Sequence, residues 1–141
     1  MHFVTGGAFN GKRKWVKDHY SEYLSKQWHC FYEEVHLPEL TASTVVIEGV
    51  EQWVKAELKQ LRKAETVREK WKQQLQLLAD WEKEDLNRKL VLIGNDLSKG
   101  IVPMDSFLRN WRDVTGWCYQ DIVHQSERVD IIWYGLNQQL K

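Results

Sequence analysis

The sequence predicts an α/β fold in which a mostly parallel sheet carries helices on both faces. Two apolar runs of strand length, Val45-Val46-Ile47 and Leu90-Val91-Leu92-Ile93, read as strands buried on both sides. Between such runs lie stretches whose apolar residues recur every three or four positions, the period of a helix. The two patterns alternate along the chain without an internal repeat, which is how a parallel sheet with crossover helices is written.

Taken in order, His2 to Thr5 is a short strand that runs into a loop from Gly6 to Gly11. Lys12 to about Ser25 reads as a helix, with Trp15, Val16, His19, Tyr20 and Tyr23 at helical spacing. Trp28 to Val35 is rich in aromatic and β-favouring residues and reads as a strand closed by Pro38. Val45 to Glu48 is a buried strand, and a helix starts between Gly49 and Gln52. From Lys55 to Arg88 both charge signs are interspersed, while Val67, Trp71, Leu75 and Leu78 share one helical face, as expected of an amphipathic helix packed on the sheet. Leu90 to Ile93 is the next strand, Phe107 to about Gln125 a helix and Val129 to Tyr134 a last strand.

The chain has 141 residues, the size of one domain, and residues 1–141 are expected to form a single unit. Twenty Lys and Arg balance twenty Asp and Glu, which argues against holding nucleic acid or an anionic membrane by bulk charge. No apolar run approaches the roughly 18 to 20 residues that span a bilayer. The segment after Met1 has no basic stretch followed by an apolar one, so the expected location is the cytoplasm. Cys30 and Cys118 lack zinc-site spacing and are expected to be buried free thiols. Eight Trp residues demand burial in a core or against a partner.

Gly6-Gly7-Ala8-Phe9-Asn10-Gly11-Lys12 fits the pattern GxxxxGK, in which loop amides turn toward phosphate and a lysine at the start of the helix reaches the terminal phosphates. The bare pattern is weak. Its placement, between the first strand and the first helix of an alternating chain, is the one the chemistry requires, and it favours a phosphate loop over an ordinary Gly-rich turn. Position 13 departs from the pattern: a Ser or Thr there normally ligates Mg²⁺, and Arg13 has no acceptor. Mg²⁺ would then rest on phosphates, water and another carboxylate. Glu48, at the end of the Val45 to Ile47 run, is the candidate for that carboxylate at the carboxyl edge of a central strand beside the loop. The alternative is a Glu that caps the next helix. Asn95 and Asp96 follow Ile93 in the same manner, so one lysine and two acids are expected to converge on one crevice.

These residues carry a resemblance. Val4-Thr5-Gly6-Gly7-Ala8 with Gly11-Lys12 resembles the VTGGARSGKS opening of the bifunctional adenosylcobinamide kinase / adenosylcobinamide-phosphate guanylyltransferase family of cobalamin biosynthesis. The segment from Leu90 to Pro103 resembles that family's VVLVTNEVGxGIVP, and Arg109 to Gly116, with Tyr119-Gln120, its RxFRDxxGxxNQ. The tail from Val129 to Lys141 is similar to its VxxxxxGxxxxLK ending, with Gly135 in register. Val45 to Gly49 with Trp53 matches its VLVDCLTxW more loosely, and Trp28 with Glu33 its WxTxE.

The resemblance implies a RecA-like P-loop domain that phosphorylates the hydroxyl of adenosylcobinamide with ATP or GTP and then transfers GMP through a guanylylated histidine, in a homo-oligomer, a trimer. It implies that Gly6, Gly7, Ala8, Gly11 and Lys12 bind nucleotide phosphates, that Glu48 acts near Mg²⁺, and that Asn95 and Asp96 line the site; Phe9, Asn10 and Arg13, in and next to the loop, are candidates for the same nucleotide contact. The family's histidine lies in an RxxHxxxRPxxW context between the first helix and WxTxE, and here Lys26 and Gln27 run directly into Trp28. His19, His29 and His36 are not in that context, so the guanylyl-transfer half is expected to be absent. Two functions stay open: a shortened kinase using Lys12, Glu48 and Asp96, and a nucleotide-binding or scaffold relative without turnover.

Overall fold

A computed structural model describes residues 1–23 and 26–141. Its elements are β1 (His2–Thr5), α1 (Lys12–His19), β2 (Lys26–Cys30), β3 (Thr44–Glu48), α2 (Val50–Leu61), α3 (Ala64–Lys83), β4 (Lys89–Ile93), α4 (Ser106–Gln125), β5 (Arg128–Trp133) and β6 (Leu136–Gln139). The six strands form one sheet in the order β2-β3-β4-β1-β5-β6, all parallel except the β5–β6 pair. The α/β class expected from the alternating pattern is the observed one.

Strand parity sorts the apolar residues into two cores. Phe3, Val45, Ile47, Leu90, Leu92 and Val129 point to one face, where α2, α3 and α4 bury them with Trp53, Trp71, Leu75, Val114 and Ile122. Val4, Val46, Val91, Ile93 and Ile132 point to the other, under α1 with Val16 and Tyr20. The period of two in a strand requires this alternation. Because β1, β3 and β4 are covered on both faces, their sequences read as continuous apolar runs rather than as alternating ones.

Several boundaries differ from the sequence expectation. α1 stops at His19, with Tyr20 capping it through its amide to the Val16 carbonyl; the expected end near Ser25 lies outside the described residues. The strand expected from Trp28 to Val35 runs instead from Lys26 to Cys30, since Phe31 turns into the core and the amides of Glu33 and Glu34 fold back on the Cys30 carbonyl. The charged stretch after Lys55 is two helices, broken where Arg62 takes a left-handed φ of 55°. Val67, Trp71, Leu75 and Leu78 are all buried, as their shared face predicts. Within α3 and its neighbours, Lys70 pairs with Glu57 and Arg68 with Asp121, each at 2.8 Å.

The indoles are held differently from the expectation of burial. Trp53 and Trp71 are buried, 5.0 Å apart between ring centroids. The other six lie at the surface or half-buried, and each has a cation against its face: Arg128 on Trp15, Lys17 on Trp28, Arg88 on Trp81, Lys55 on Trp111, Arg68 on Trp117 and Lys99 on Trp133. An indole is the best aromatic acceptor of a cation, so these residues stabilise the charged surface as well as the core. Cys30 and Cys118 are buried free thiols, and burial pushes Cys118 up to about 12. No helix among the described residues is long and apolar enough to cross a membrane.

Candidate functional site

The carboxyl ends of β1, β3 and β4 open onto a cleft of about 600 Å³ lined by Ala8, Phe9, Lys12, Arg13, Glu48 and Asn95, among others. This is the edge at which parallel sheets bind ligands. Gly6 leaves β1 at φ 137°, where a Cβ would strike the carbonyl of Ile132 on the next strand, so the turn admits glycine only. The loop closes on Gly11 in the left-handed region, and α1 starts at once with Lys12. On its far side the loop is clipped by the β5–β6 hairpin: Asn10 accepts the Gly135 amide at 2.8 Å through its carbonyl, and the Tyr134 amide at 3.3 Å through Oδ1.

Lys12 is buried, and its ammonium curls inside the loop, donating to the carbonyls of Gly6 at 3.1 Å and Gly7 at 2.7 Å. Burial lowers its pKa, and the charges of Glu51, Glu48 and Asp96 oppose that fall. The ammonium therefore sits where the loop encloses it, surrounded by acids.

Glu48 ends β3 as expected, but β4 lies between β3 and the loop-bearing β1, so the acid is one strand further away than "beside the loop" implies. Its Oε2 is occupied three times over. Arg13 donates to it from Nε at 2.8 Å and pairs with it through Nη2 at 2.7 Å, and Trp28 donates from its indole nitrogen at 2.9 Å. The hydrogen bond to Glu48 raises the Arg13 pKa further, so the guanidinium is permanently charged.

Asn95 lines the cleft, and Asp96 is not among its lining residues. The Asp96 carboxylate accepts the amide and hydroxyl of Ser98, lies 4.0 Å from Lys99, and borders a separate hollow with Phe3, Tyr119 and Val123. Of the expected lysine and two acids, Lys12 and Glu48 line the cleft, while Asp96 joins the loop through its amide, bonded to the Gly6 carbonyl at 3.0 Å, and its charge acts on the Lys12 ammonium.

A further carboxylate lies behind the cleft, and sequence reasoning passed over it. Glu51, in the first turn of α2, is wholly buried. Its two oxygens accept from the Tyr32 hydroxyl, the Asn95 amide and side chain at 3.1 and 3.0 Å, and the Tyr119 hydroxyl at 3.1 Å. This carboxylate ties the loop after β2, the loop after β4 and α4 to the start of α2. Burial raises the pKa of Tyr119 and, with the Glu51 bond, that of Tyr32, so both hydroxyls stay protonated as donors. The fit is close, since a Cβ on Gly94 would strike the Tyr119 hydroxyl. The signal was the spacing Glu48 to Glu51, which sets a second acid three residues on, just past the strand's end.

The donors here do not suit Mg²⁺. That ion needs an octahedron of oxygens, yet position 13 supplies no oxygen and Glu48 is left with Oε1 alone, against a guanidinium. No group of three or more His, Cys, Asp or Glu side chains among the described residues could hold a metal.

Residues 13–140 match the CobU family, described as cobinamide kinase / cobinamide phosphate guanyltransferase. The loop Gly6 to Lys12 precedes that stretch. Over 57 residues the chain is 33% identical to the bifunctional adenosylcobalamin biosynthesis protein CobP of Pseudomonas aeruginosa. That alignment covers 40% of this chain and 33% of the length of the relative.

Proposed function

Because this chain belongs to the cobinamide kinase / cobinamide phosphate guanyltransferase family, we propose that residues 1–141 act as one nucleotide-binding unit that takes ATP or GTP into the cleft at the end of β1. The observation that carries this is the enclosed Lys12 ammonium, 2.7 Å from the Gly7 carbonyl inside a glycine loop that opens a helix. A triphosphate would replace those carbonyls as the partner of the ammonium, and the loop amides and the start of α1 would meet its remaining oxygens. The acceptor is a corrinoid hydroxyl, that of adenosylcobinamide, and the reaction is phosphoryl transfer within cobalamin biosynthesis. In that transfer Lys12 neutralises charge on the moving phosphoryl group, and Asn95, fixed by Glu51, lines the pocket the acceptor enters.

The guanylyl-transfer half is absent in this proposal. α1 ends at His19 and β2 begins at Lys26, which leaves little chain for a histidine-bearing segment, and no histidine is among the residues lining the cleft. Self-association belongs to the same proposal, with Phe9, Tyr134 and Leu136 exposed around the loop and its hairpin. A second reading, nucleotide binding without turnover, is favoured by one observation, the Arg13–Glu48 pair that occupies the acid a kinase would use.

Incubation with labelled ATP or GTP and adenosylcobinamide separates the two. Phosphorylated product is expected for the kinase, and bound nucleotide without product at high protein concentration would leave the second reading. A covalent GMP adduct on any of the five histidines would overturn the loss of the guanylyl-transfer half.

A further inference from the structure

We infer that this chain binds its nucleoside triphosphate without a divalent cation, the Arg13 guanidinium standing between Glu48 and the phosphates where a metal ion otherwise would. The inference rests on the nucleotide-binding reading above and concerns only how the charge of the triphosphate is met. Arg13 is the second residue of α1, so its side chain leaves the same turn as Lys12 and lines the same cleft. Its Nε and Nη2 both hold Glu48 Oε2, at 2.8 and 2.7 Å. Nη2 also lies 3.4 Å from the Cys30 sulfur, while Nη1 has no acceptor among the described residues. About half of the side chain is exposed.

A guanidinium has five N–H donors in a planar fork and no acceptor. With one edge anchored on Glu48, the remaining donors are free for the oxygens of a phosphate, the geometry for which Arg is better suited than Lys. Glu48 then does for Arg13 what it would do for a metal: it fixes a positive charge at the carboxyl edge of the sheet. Trp28 donates to the same carboxylate oxygen at 2.9 Å, and its ring centroid lies 6.0 Å from the guanidinium carbon, so the anchor is itself positioned. A divalent ion on the remaining Glu48 oxygen would meet a fixed positive charge a few ångströms away, and that repulsion offsets part of what the lone carboxylate contact returns. Lys12, Arg13 and the loop amides together supply the positive field that a triphosphate needs.

Calorimetric titration of the full chain with ATP and with GTP, in Mg²⁺ and again in EDTA, tests this directly. Affinity in EDTA is expected to stay within about threefold of its value in Mg²⁺, and Arg13→Ser is expected to weaken binding in EDTA by about tenfold. A wild-type loss in EDTA beyond about threefold overturns the inference and leaves nucleotide binding standing, with Mg²⁺ as the bound charge. Binding by Arg13→Ser in EDTA equal to wild type also overturns it. No binding of either nucleotide in either condition overturns the inference together with the reading beneath it. The wild-type comparison decides even if the variant fails to fold.

Discussion

The two ends of the sheet use their charged groups in opposite ways. At the amino end, His2, Tyr20, Arg128, Asp130 and Asn137 form a closed network. His2 bonds Tyr20 at 2.7 Å and Asp130 at 2.8 Å, and Arg128 and Asn137 complete the carboxylate at 2.6 and 2.8 Å. Here β1, β5, β6 and the end of α1 are stitched together and little donor capacity is left over. At the carboxyl end Lys12 is satisfied only by its own loop, and Arg13 keeps an edge free. A network of side chains from several elements that satisfy one another stabilises the fold, whereas a charge held only by the carbonyls of its own loop can exchange them for a ligand.

This contrast breaks first at Lys12. Lys12→Ala is expected to reduce triphosphate affinity by about a thousandfold, read by calorimetry, because the ammonium is the enclosed charge of the loop. Unchanged affinity would remove the phosphate loop from consideration. Next comes Glu51, the one fully closed carboxylate at the open end. Glu51→Ala leaves the Tyr32 hydroxyl and the Asn95 backbone amide without their acceptor and removes one of the partners of Tyr119, and is expected to cost about 3 kcal/mol in urea denaturation. Glu48→Ala, which breaks the pair with the half-exposed Arg13 and leaves the Trp28 indole N–H without this acceptor, is expected to cost about 1 kcal/mol. Equal losses would show that the two acids are not differently employed.

At the amino end the test is pH. Burial holds His2 down to about 4 from an ordinary 6.5, with Asp130 opposing. Between those values the unfolded chain binds a proton that the folded chain refuses, so stability falls as pH drops through the window, by about 2 kcal/mol from pH 6.5 to pH 4.5. Asp130 works in the same direction at lower pH: burial raises its pKa, but bonds from Arg128, Asn137 and His2 outweigh that and hold it below its ordinary value. Its contribution is lost once the carboxylate is protonated. His2→Gln is expected to flatten the slope between pH 6.5 and pH 4.5, and an unchanged slope would place the proton elsewhere.

The smallest effect sits at the loop's tip. Phe9 is fully exposed and held at φ 59°, a conformation that strains any residue with a Cβ. Phe9→Gly is expected to raise stability by up to about 1 kcal/mol in the same denaturation experiment.

What was legible in the sequence follows from which interactions are local. The strands at Val45 and Leu90 could be read because burial on both faces leaves no room for polar residues, and the loop at Gly6 because its backbone needs glycine. The break at Arg62 was hidden, since a left-handed arginine has no sequence mark of its own. β6 was missed because all four of its residues are exposed, and only the hairpin turn at Tyr134 and Gly135 pairs it with β5. At the site, Lys12 and Glu48 followed from position within a strand-to-helix crossover. The hold of Arg13 on Glu48 joins residues 35 apart, and the turning of Asp96 toward Ser98 depends on how one loop settles; neither has a periodicity to give it away.

The difference between the two ends is most directly tested by hydrogen exchange of the backbone amides with and without ATP or GTP. Protection is expected from Gly7 to Arg13 and at Tyr134 and Gly135, where the hairpin clips the loop, with no change at His2, Tyr20 or Arg128 to Asp130. Protection confined to the amino end, or nucleotide binding that leaves the loop amides exchanging as before, would contradict it.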